Sequence, residues 1–580
     1  MKIALAQINP TVGDFSGNVT KILDFAERAQ KLQADLVIVP ELAICGYPPA
    51  DLLEKDAFIE QAGEALAVVR VWTTGLGRPA VLCGCVMSTE KENDAPSVGK
   101  QVRNVAVLMA RGEVTAVQGK MLLPFYDVFD EQRYFEPALE QSLTTLAALD
   151  QCGKPEYEVP LAITICEDAW NDKGFWPRRR YAVDPVERLM SDWDEQPESL
   201  RQHPRIILNI SASPFWQGKR AVRREMLSAL ACRHGAYVAM VNQVGGNDSL
   251  VFDGTSLAIG PDGEVIAQAR SFEEDLILFD TNGNAGVSQV TGEIDKTVDT
   301  EVKATWDALV LGTRDYVRKC GFSKALVGLS GGIDSALVAA IAVEALGVEN
   351  VMGVGMPSEY SSEGSKDDAR ELAERLGMRL EMLPIHTVFG ACETTLDPLF
   401  AGTPFGLAEE NVQSRIRGLL LMALSNKFGA LVLTTGNKSE MSVGYSTLYG
   451  DMVGALAVIG DVFKTRVYEL SRYANREREI IPEATLLKAP SAELRPGQKD
   501  TDSLPSYEVL DPILEAYVER YCSAAQIADE QNVDVELVQQ VLKLVERSEY
   551  KRQQAAPVLK VTRKSFGMGR RFPIAAKMQV

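Results

Sequence analysis

The chain has 580 residues, 46% of them hydrophobic and 24% charged; at ~150 residues per domain this predicts several domains with ample core material and excludes collagen-like, mucin-like and wholly disordered classes. Sixty Lys and Arg stand against 80 Asp and Glu, a formal charge of −20 with an isoelectric point near 4.9. That balance excludes a protein whose main task is coating nucleic acid or an anionic membrane.

The run Met1-Lys2-Ile3-Ala4-Leu5-Ala6-Gln7 reaches a polar residue too early for a signal-peptide core. No apolar stretch approaches the ~18 residues of a membrane span, so a cytoplasmic enzyme is expected. Nine cysteines (45, 83, 85, 152, 166, 232, 320, 392, 522) form no CxxC pair, which predicts reduced thiols and not a disulfide framework. The three histidines (His203, His234, His386) lie far apart, leaving little for a zinc site or for a Cys-His or Ser-His-Asp triad. Nucleophilic chemistry in this chain needs a base other than histidine.

From residue 1 to about 280, short Val-, Ile- and Leu-rich runs alternate with helical patterns. Strands are predicted at 3–8, 36–39, 80–87, 104–109, 161–166, 206–210 and 237–241. The segment 249–259, the turn Gly260-Pro261-Asp262-Gly263-Glu264 and a further strand predict a hairpin, giving a mixed sheet with helices on its faces. Three of these elements end on reactive side chains. Glu41 follows 36–40, Lys120 closes the hairpin-like 113–119, and Cys166 ends 161–165 and precedes Glu167-Asp168-Ala169-Trp170. A thiol is largely protonated at neutral pH, so a nucleophilic cysteine needs a base and a cation beside it. Residues at the same kind of strand end can converge on one rim, although each taken singly is more often structural.

Further stretches give this set its context: Pro40-Glu41-Leu42, Gly119-Lys120-Met121-Leu122-Leu123-Pro124, Val128-Phe129-Asp130-Glu131-Gln132-Arg133-Tyr134-Phe135, Ile165-Cys166-Glu167-Asp168, Asn209-Ile210-Ser211-Ala212-Ser213-Pro214-Phe215 and Asn242-Gln243-Val244-Gly245-Gly246. With them, residues 1–275 resemble the carbon-nitrogen hydrolase (nitrilase) superfamily. The resemblance implies an αββα sandwich with Cys166 as nucleophile, Glu41 as general base and Lys120 as stabiliser of the tetrahedral oxyanion. It places Glu131 as a second, supporting acid. An acyl thioester would form at Cys166 with release of ammonia, and would then be hydrolysed. Tyr126, Glu167 and Ser211 are the implied glutamine contacts, with packing or capping as the plain alternative for each.

Residues 276–300 lose periodicity and are assigned to a linker. A second alternation fills 301–580, with strands at 324–329, 351–356, 380–385 and 430–434 and helices at 334–346, 365–376 and 411–427, predicting a Rossmann-like parallel sheet. The two halves share no internal repeat. Leu329-Ser330-Gly331-Gly332-Ile333-Asp334-Ser335 joins a strand to a helix, an anion cradle built from unhindered N–H groups and a helix N-terminus. It lacks the lysine of a Walker A loop, and Ser-Gly-Gly-x-Asp-Ser matches the PP-loop of enzymes that split ATP into AMP and pyrophosphate. Asp334 and Glu440 offer hard oxygen ligands suited to Mg²⁺; the plain alternative for either is a surface acid. Residues 551–580 hold eight basic side chains and no acidic ones. They read either as a solvated mobile tail or as a cap over an anionic ligand or an acidic neighbouring subunit.

Asn411-Val412-Gln413-Ser414-Arg415-Ile416-Arg417, Leu433-Thr434-Thr435-Gly436-Asn437-Lys438-Ser439-Glu440, Gly460-Asp461-Val462-Phe463-Lys464 and Lys488-Ala489-Pro490-Ser491-Ala492-Glu493-Leu494 complete a resemblance of 301–580 to the NAD synthetase family. It implies ATP contacts at Ser330, Gly331, Gly332, Asp334, Ser335, Thr435, Lys464 and Ser491, the last standing where relatives commonly have threonine. It implies Mg²⁺ on Asp334 and Glu440, and deamido-NAD⁺ contacts at Asn411, Arg415, Asn437, Asp451 and Lys560. The region 495–511 is expected to form a mobile catalytic loop.

Together the halves resemble the glutamine-hydrolysing members of that family, ATP-dependent amidotransferase ligases that adenylate the nicotinate carboxylate of deamido-NAD⁺ and let ammonia displace AMP. Ammonia is mostly ammonium at pH 7, so releasing it beside an activated acyl group avoids dilution and protonation. A homo-oligomer, with no nucleic-acid or membrane partner, is expected. GMP and asparagine synthetases share the PP-loop but not this first half: Lys2 stands where an asparagine synthetase needs its cysteine, and Ile165-Cys166-Glu167 lacks the glycine-flanked cysteine of a GMP synthetase. A nucleotide-sensing scaffold without turnover is disfavoured by the full set Glu41, Lys120, Cys166, Asp334 and Glu440.

Overall fold

The computed structural model describes residues 1–89, 101–149, 155–281 and 301–577. Cys152 and most of the predicted linker lie outside the described residues. Contacts divide the chain into two compact units, Met1–Asn247 with Val251–Val298, and Asp248–Leu250 with Asp299–Val580.

Among the described residues the first unit holds fourteen strands: β1 Lys2–Gln7, β2 Leu36–Ile38, β3 Ala80–Ser88, β4 Val102–Ala110, β5 Glu113–Gly119, β6 Thr144–Leu149, β7 Pro155–Ile165, β8 Arg205–Ser211, β9 Ala236–Asn242, β10 Val244–Asn247, β11 Leu250–Asp253, β12 Leu257–Ile259, β13 Val265–Gln268 and β14 Asp275–Asp280. Two six-stranded sheets form, in the orders β14-β1-β2-β3-β4-β5 and β13-β12-β9-β8-β7-β6, with β10-β11 as a separate ribbon. Each sheet has a parallel centre, β1-β2-β3 or β7-β8-β9, flanked by antiparallel strands. The central strands are apolar on both faces because both faces are covered. Ile3, Leu5, Leu36, Ile38 and Leu82 of the first sheet meet Leu161, Ile163, Leu208 and Val241 of the second in the inter-sheet core. The opposite face of the second sheet, with Ile207, Val238 and Met240, packs on the helices Pro185–Asp194 and Lys219–His234, while Phe15–Lys31 and Asp56–Trp72 serve the first. The αββα layering is as expected. The hairpin forms between β12 and β13, but the run 249–259 is broken at Gly254 into β11 and β12. β14 occupies the first residues assigned to the linker and pairs antiparallel with β1.

The second unit carries one parallel sheet of β15 Ala325–Gly328, β16 Val351–Gly355, β17 Arg379–Met382, β18 Leu431–Thr434 and β19 Leu456–Ala457, ordered β17-β16-β15-β18-β19. The chain winds outward from β15 first through β16 and β17, then returns to the other side through β18. The carboxyl ends of β15 and β18 therefore flank a topological switch point, where open sheets of this kind bind ligands.

The basic tail follows neither sequence reading in full. It is ordered against carboxylates of its own unit: Arg552 and Arg570 bond Glu549, at 2.8 and 2.7 Å, and Thr562 bonds Asp461. Lys438, fully buried, joins Asp461 at 2.9 Å, Glu519 at 2.7 Å and the tail's Thr562 at 2.6 Å. Removing one partner of a buried charge network leaves the others uncompensated. Lys438→Met is therefore expected to destabilise this unit by about 3–5 kcal/mol, checked by the thermal or urea unfolding midpoint; an unchanged midpoint would show that the network is energetically neutral.

Candidate active sites at the strand ends

Glu41, Lys120 and Cys166 follow β2, β5 and β7, and the structure brings them together in one buried cluster. Lys120 Nζ donates to Glu41 Oε1 at 2.6 Å and to Glu131 at 2.8 and 2.9 Å, with all three side chains at most 5% exposed. Burial disfavours the ammonium, but the Glu131 and Glu41 charges outweigh it and hold Lys120 well above its ordinary range. Glu131 is pushed up to about 7, by burial first, against the pull of Lys120. Burial, then the Glu41 charge, raises the Cys166 thiol, opposed by Lys120, so the resting sulfur keeps its proton and an adjacent carboxylate must take it.

Local structure explains why these side chains point inward. Glu41 lies in a turn seated on Gly84 of β3, where a Cβ would come within 2.3 Å of Leu42 N. Its two oxygens are held by Asn104 Nδ2 at 2.7 Å and by the Ala212 N–H at 2.9 Å. Cys166 itself has φ +44°, a left-handed conformation that a non-glycine residue adopts at a cost of order 1–3 kcal/mol. The strained strand-to-turn junction presents the thiol at the sheet end, and Asn209 Nδ2 anchors the Cys166 carbonyl at 3.3 Å.

The implied substrate contacts separate into two kinds. Tyr126 donates to both oxygens of Glu167, at 3.0 and 2.9 Å, and Tyr181 adds a third bond at 3.2 Å. The Arg180 guanidinium lies 3.5 Å over the Tyr126 ring. This anion–phenol–cation group adjoins Cys166. Ser211, by contrast, is fully buried and donates to Asn209 Oδ1 at 2.6 Å; it orients the asparagine that holds the Cys166 carbonyl. Asn104, Tyr47, which donates to Glu131 Oε1 at 2.9 Å, Asn209 and the Ala212 N–H were given no role from the sequence, because their pairings span 43 to 171 residues.

In the second unit, a cavity of about 740 Å³ opens at the switch point. Ser330, Gly331, Gly332 and Ser335 line one wall. Gly331 has φ +77°, and a Cβ there would fall 2.1 Å from Ser365 O, so the turn tolerates only glycine. The helix Ile333–Leu346 has no side-chain cap at its N-terminus, leaving its first N–H groups free to face an anion. Asp334, Glu440 and Lys464 converge here: Lys464 Nζ contacts Asp334 Oδ2 and lies 3.5 Å from Glu440 Oε1. Burial, then the Asp334 charge, lifts Glu440 to about 8 against the pull of Lys464. Thr435, Ser491, Asn411 and Asp451 also line the cavity. Ser491 Oγ donates to Gln498 O at 2.6 Å, pinning the loop that carries both. The expected loop 495–511 contributes Arg495, Gln498 and Asp500 to the lining and passes into the helix Tyr507–Arg520.

Three implied deamido-NAD⁺ contacts are not in this lining. Arg415 is exposed and directs Nε to Leu448 O at 3.2 Å. On the helix Leu407–Phe428, Asn411, Ser414, Gly418 and Leu421 line the cavity and Arg415 does not. Arg417 lines the cavity in its place, with burial lowering its guanidinium to about 10. Asn437 is the N-cap of the short helix Lys438–Val443 and donates to Asp334 Oδ1 at 2.9 Å. Lys560 is buried, with Nζ donating to Thr562 O and Arg563 O. Lys551 is the tail residue that reaches the cavity wall.

Among the described residues no three His, Cys, Asp or Glu side chains gather as a metal cage, and none of the helices is long and apolar enough to cross a membrane. Asp334 and Glu440, on either side of Lys464 and beside the uncapped N-terminus of the helix Ile333–Leu346, nevertheless fit Mg²⁺ in donor type, since that ion is ordinarily held by one or two carboxylates together with substrate phosphates.

Residues 2–285 match the family model for carbon-nitrogen hydrolases and 305–555 that for NAD synthase. A glutamine-dependent NAD(+) synthetase of Synechocystis sp. is 49% identical, over 99% of this chain and 98% of that protein. One from Thermotoga maritima is 41% identical over 100% and 99%. The solved structure of the glutamine-dependent NAD+ synthetase from Acinetobacter baumannii in complex with ADP is 38% identical, with a TM-score of 0.72 over 99% of this chain and 98% of that one.

Proposed function

The chain belongs to the glutamine-dependent NAD(+) synthetase family, and from that premise we propose how its two units divide one reaction: glutamine is opened at Cys166, and the nitrogen is installed on deamido-NAD⁺ in the cavity of the second unit at the expense of ATP. Glu41 takes the Cys166 proton as sulfur attacks the carboxamide carbon. Lys120 balances the oxyanion, and Glu41 returns the proton to the departing ammonia. Water activated by Glu41 then cleaves the thioester to glutamate. Glu167, with Tyr126 and Tyr181 fixing its carboxylate, holds the glutamine α-ammonium.

In the second unit the nicotinate carboxylate attacks the α-phosphorus of ATP and pyrophosphate leaves. Ammonia then attacks the acyl carbon, and AMP leaves. Ser330, Gly331, Gly332 and Ser335 cradle the phosphates and Lys464 offsets their charge. Asp334 and Glu440 would hold Mg²⁺, which supplies further charge neutralisation to the phosphates when bound. Asn411, Asp451 and Arg417 face the remaining volume, where the deamido-dinucleotide fits. The unpaired thiols among the described residues support a reducing, cytoplasmic setting. Self-association is kept as the expectation from the family, and a sedimentation mass of one chain would exclude it.

The observation that carries this reading is the meeting of a carboxylate, an ammonium and a thiol from two different sheets in one buried cluster. Purified protein given ATP, Mg²⁺ and deamido-NAD⁺ is expected to form NAD⁺ and AMP in equal amounts with either glutamine or ammonium. Formation of ADP in place of AMP, or no NAD⁺ from either nitrogen source, would overturn it.

A further inference from the structure

The nucleophile and its cation stand on different sheets. Lys120 follows β5, at the edge of the first sheet, and Cys166 follows β7 of the second. No sheet ladder sets the distance between them, so packing alone would leave that distance as loose as the inter-sheet core allows.

Asp168 closes this gap. It lies in the single turn Cys166–Ala169, two residues beyond the nucleophile, and is fully buried. Its Oδ1 accepts from the N–H groups of Met121 and Leu122, at 3.1 and 2.8 Å, the two residues after Lys120. Its Oδ2 accepts from the N–H of Ile165, just before Cys166, at 3.2 Å, and from Gln141 Nε2 at 2.8 Å. The same Gln141 nitrogen donates to Gly119 O at 2.9 Å, just before Lys120. The peptide bonds on both sides of Lys120 and the strand end behind Cys166 thus share one carboxylate and its amide partner. Four donors on one carboxylate make a strong, directional clasp.

We propose that Asp168 is a positioning residue for glutamine hydrolysis: it spans the two sheets and sets the separation between Cys166 and Lys120 at which the oxyanion meets the ammonium. Asp168 touches neither reacting atoms nor substrate in this account. The inference rests on the reading of Cys166 and Lys120 given above and adds a residue to it. Asparagine keeps Oδ1 for Met121 and Leu122 but turns an NH₂ group toward Ile165 N–H and Gln141 Nε2, both donors, so one side of the clasp must open.

Asp168→Asn is expected to lower kcat for glutamine hydrolysis by ~10²-fold, the scale of a misplacement near 1 Å. The KM for glutamine and ammonium-dependent NAD⁺ synthesis should stay near wild type, and the rate of Cys166 alkylation by iodoacetamide should fall far less than kcat. Alkylation occurs at a saturated carbon and develops no oxyanion, so Lys120 bears on it only by favouring the thiolate. An unchanged kcat overturns the proposal; so does a raised KM with kcat intact, or an alkylation rate that falls as far as kcat. If Asp168→Asn does not fold, Gln141→Leu decides: a ~5- to 10-fold loss in kcat with the same pattern supports the clasp, and an unchanged kcat overturns it. Absence of glutamine hydrolysis in the wild type would instead sink the underlying reading.

Discussion

Cys166→Ala is expected to abolish NAD⁺ formation from glutamine, by at least ~10⁴-fold, while formation from ammonium proceeds at the wild-type rate. The substitution removes one sulfur atom from a pocket in which Lys120, Glu41 and Glu131 are already tied to one another and to Asn104, Tyr47 and the Ala212 N–H. None of those bonds uses the thiol, so the cluster keeps its shape. What is lost is the nucleophile, and without the thioester neither glutamate nor ammonia is released from glutamine. The second unit, with its own sheet and cavity, still receives free ammonia. NAD⁺ production from both substrates would be followed side by side. Loss of the ammonium reaction as well would mean that Cys166 holds the fold and not the chemistry; survival of the glutamine reaction would move the nucleophile elsewhere.

Lys464→Met is expected to give the opposite pattern, a loss of ~10³-fold with glutamine and ammonium alike, comparable to removing a preorganised charge from a transition state. Lys464 is 2% exposed and sits between Asp334 and Glu440. Without it the two carboxylates face each other and the phosphate cradle loses its buried ammonium. Methionine fills the same volume, so the helix Lys464–Ala474 should remain seated through Val467 and Leu470. Iodoacetamide should still label Cys166 at the wild-type rate, showing that the first unit is intact. AMP production near wild type in this variant would remove Lys464 from the ATP site.

Both variants test residues visible in the sequence, and the reason they were visible is physical. Glu41 and Cys166 each end a short, β-branched apolar run that reads as a buried strand, and Lys120 closes the hairpin-like 113–119, a largely exposed edge strand, so their location at strand ends followed from local pattern. The same held for Ser330 to Ser335 between β15 and its helix. β14 was missed because its partner, β1, lies some 270 residues away. Arg415 and Arg417 differ by two positions and lie equally far round the helix from the stripe of Asn411, Ser414, Gly418 and Leu421, so periodicity does not distinguish them; only the tertiary position of the cavity does. Asn437 reads locally as the N-cap of its helix, but its bond to Asp334, 103 residues away, is set by tertiary packing, as is the burial of Lys560, whose ammonium turns back to carbonyls two and three residues on. Asp168 belongs with these: beside Cys166 it reads as one more acid on a turn, and its meaning comes from backbone N–H groups 46 and 47 residues upstream.

The short helix Lys438–Val443, which carries Glu440, owes its surroundings to much later residues. Arg552 caps Met441 O and Ser442 O, Ser548 caps Val443 O, and Lys551 caps Gly444 O and Ser446 O. Six residues cannot sustain a helix alone. On the ribosome, at ~5–20 residues per second, about a hundred further residues take ~5–20 s to appear after this helix is made. Throughout that interval Asp334 and its loop already exist while the segment bearing Glu440 has no lid over its carbonyls. A nascent chain therefore acquires the capacity to activate a carboxylate only once residues 548–552 have been made, well after the nitrogen-releasing half.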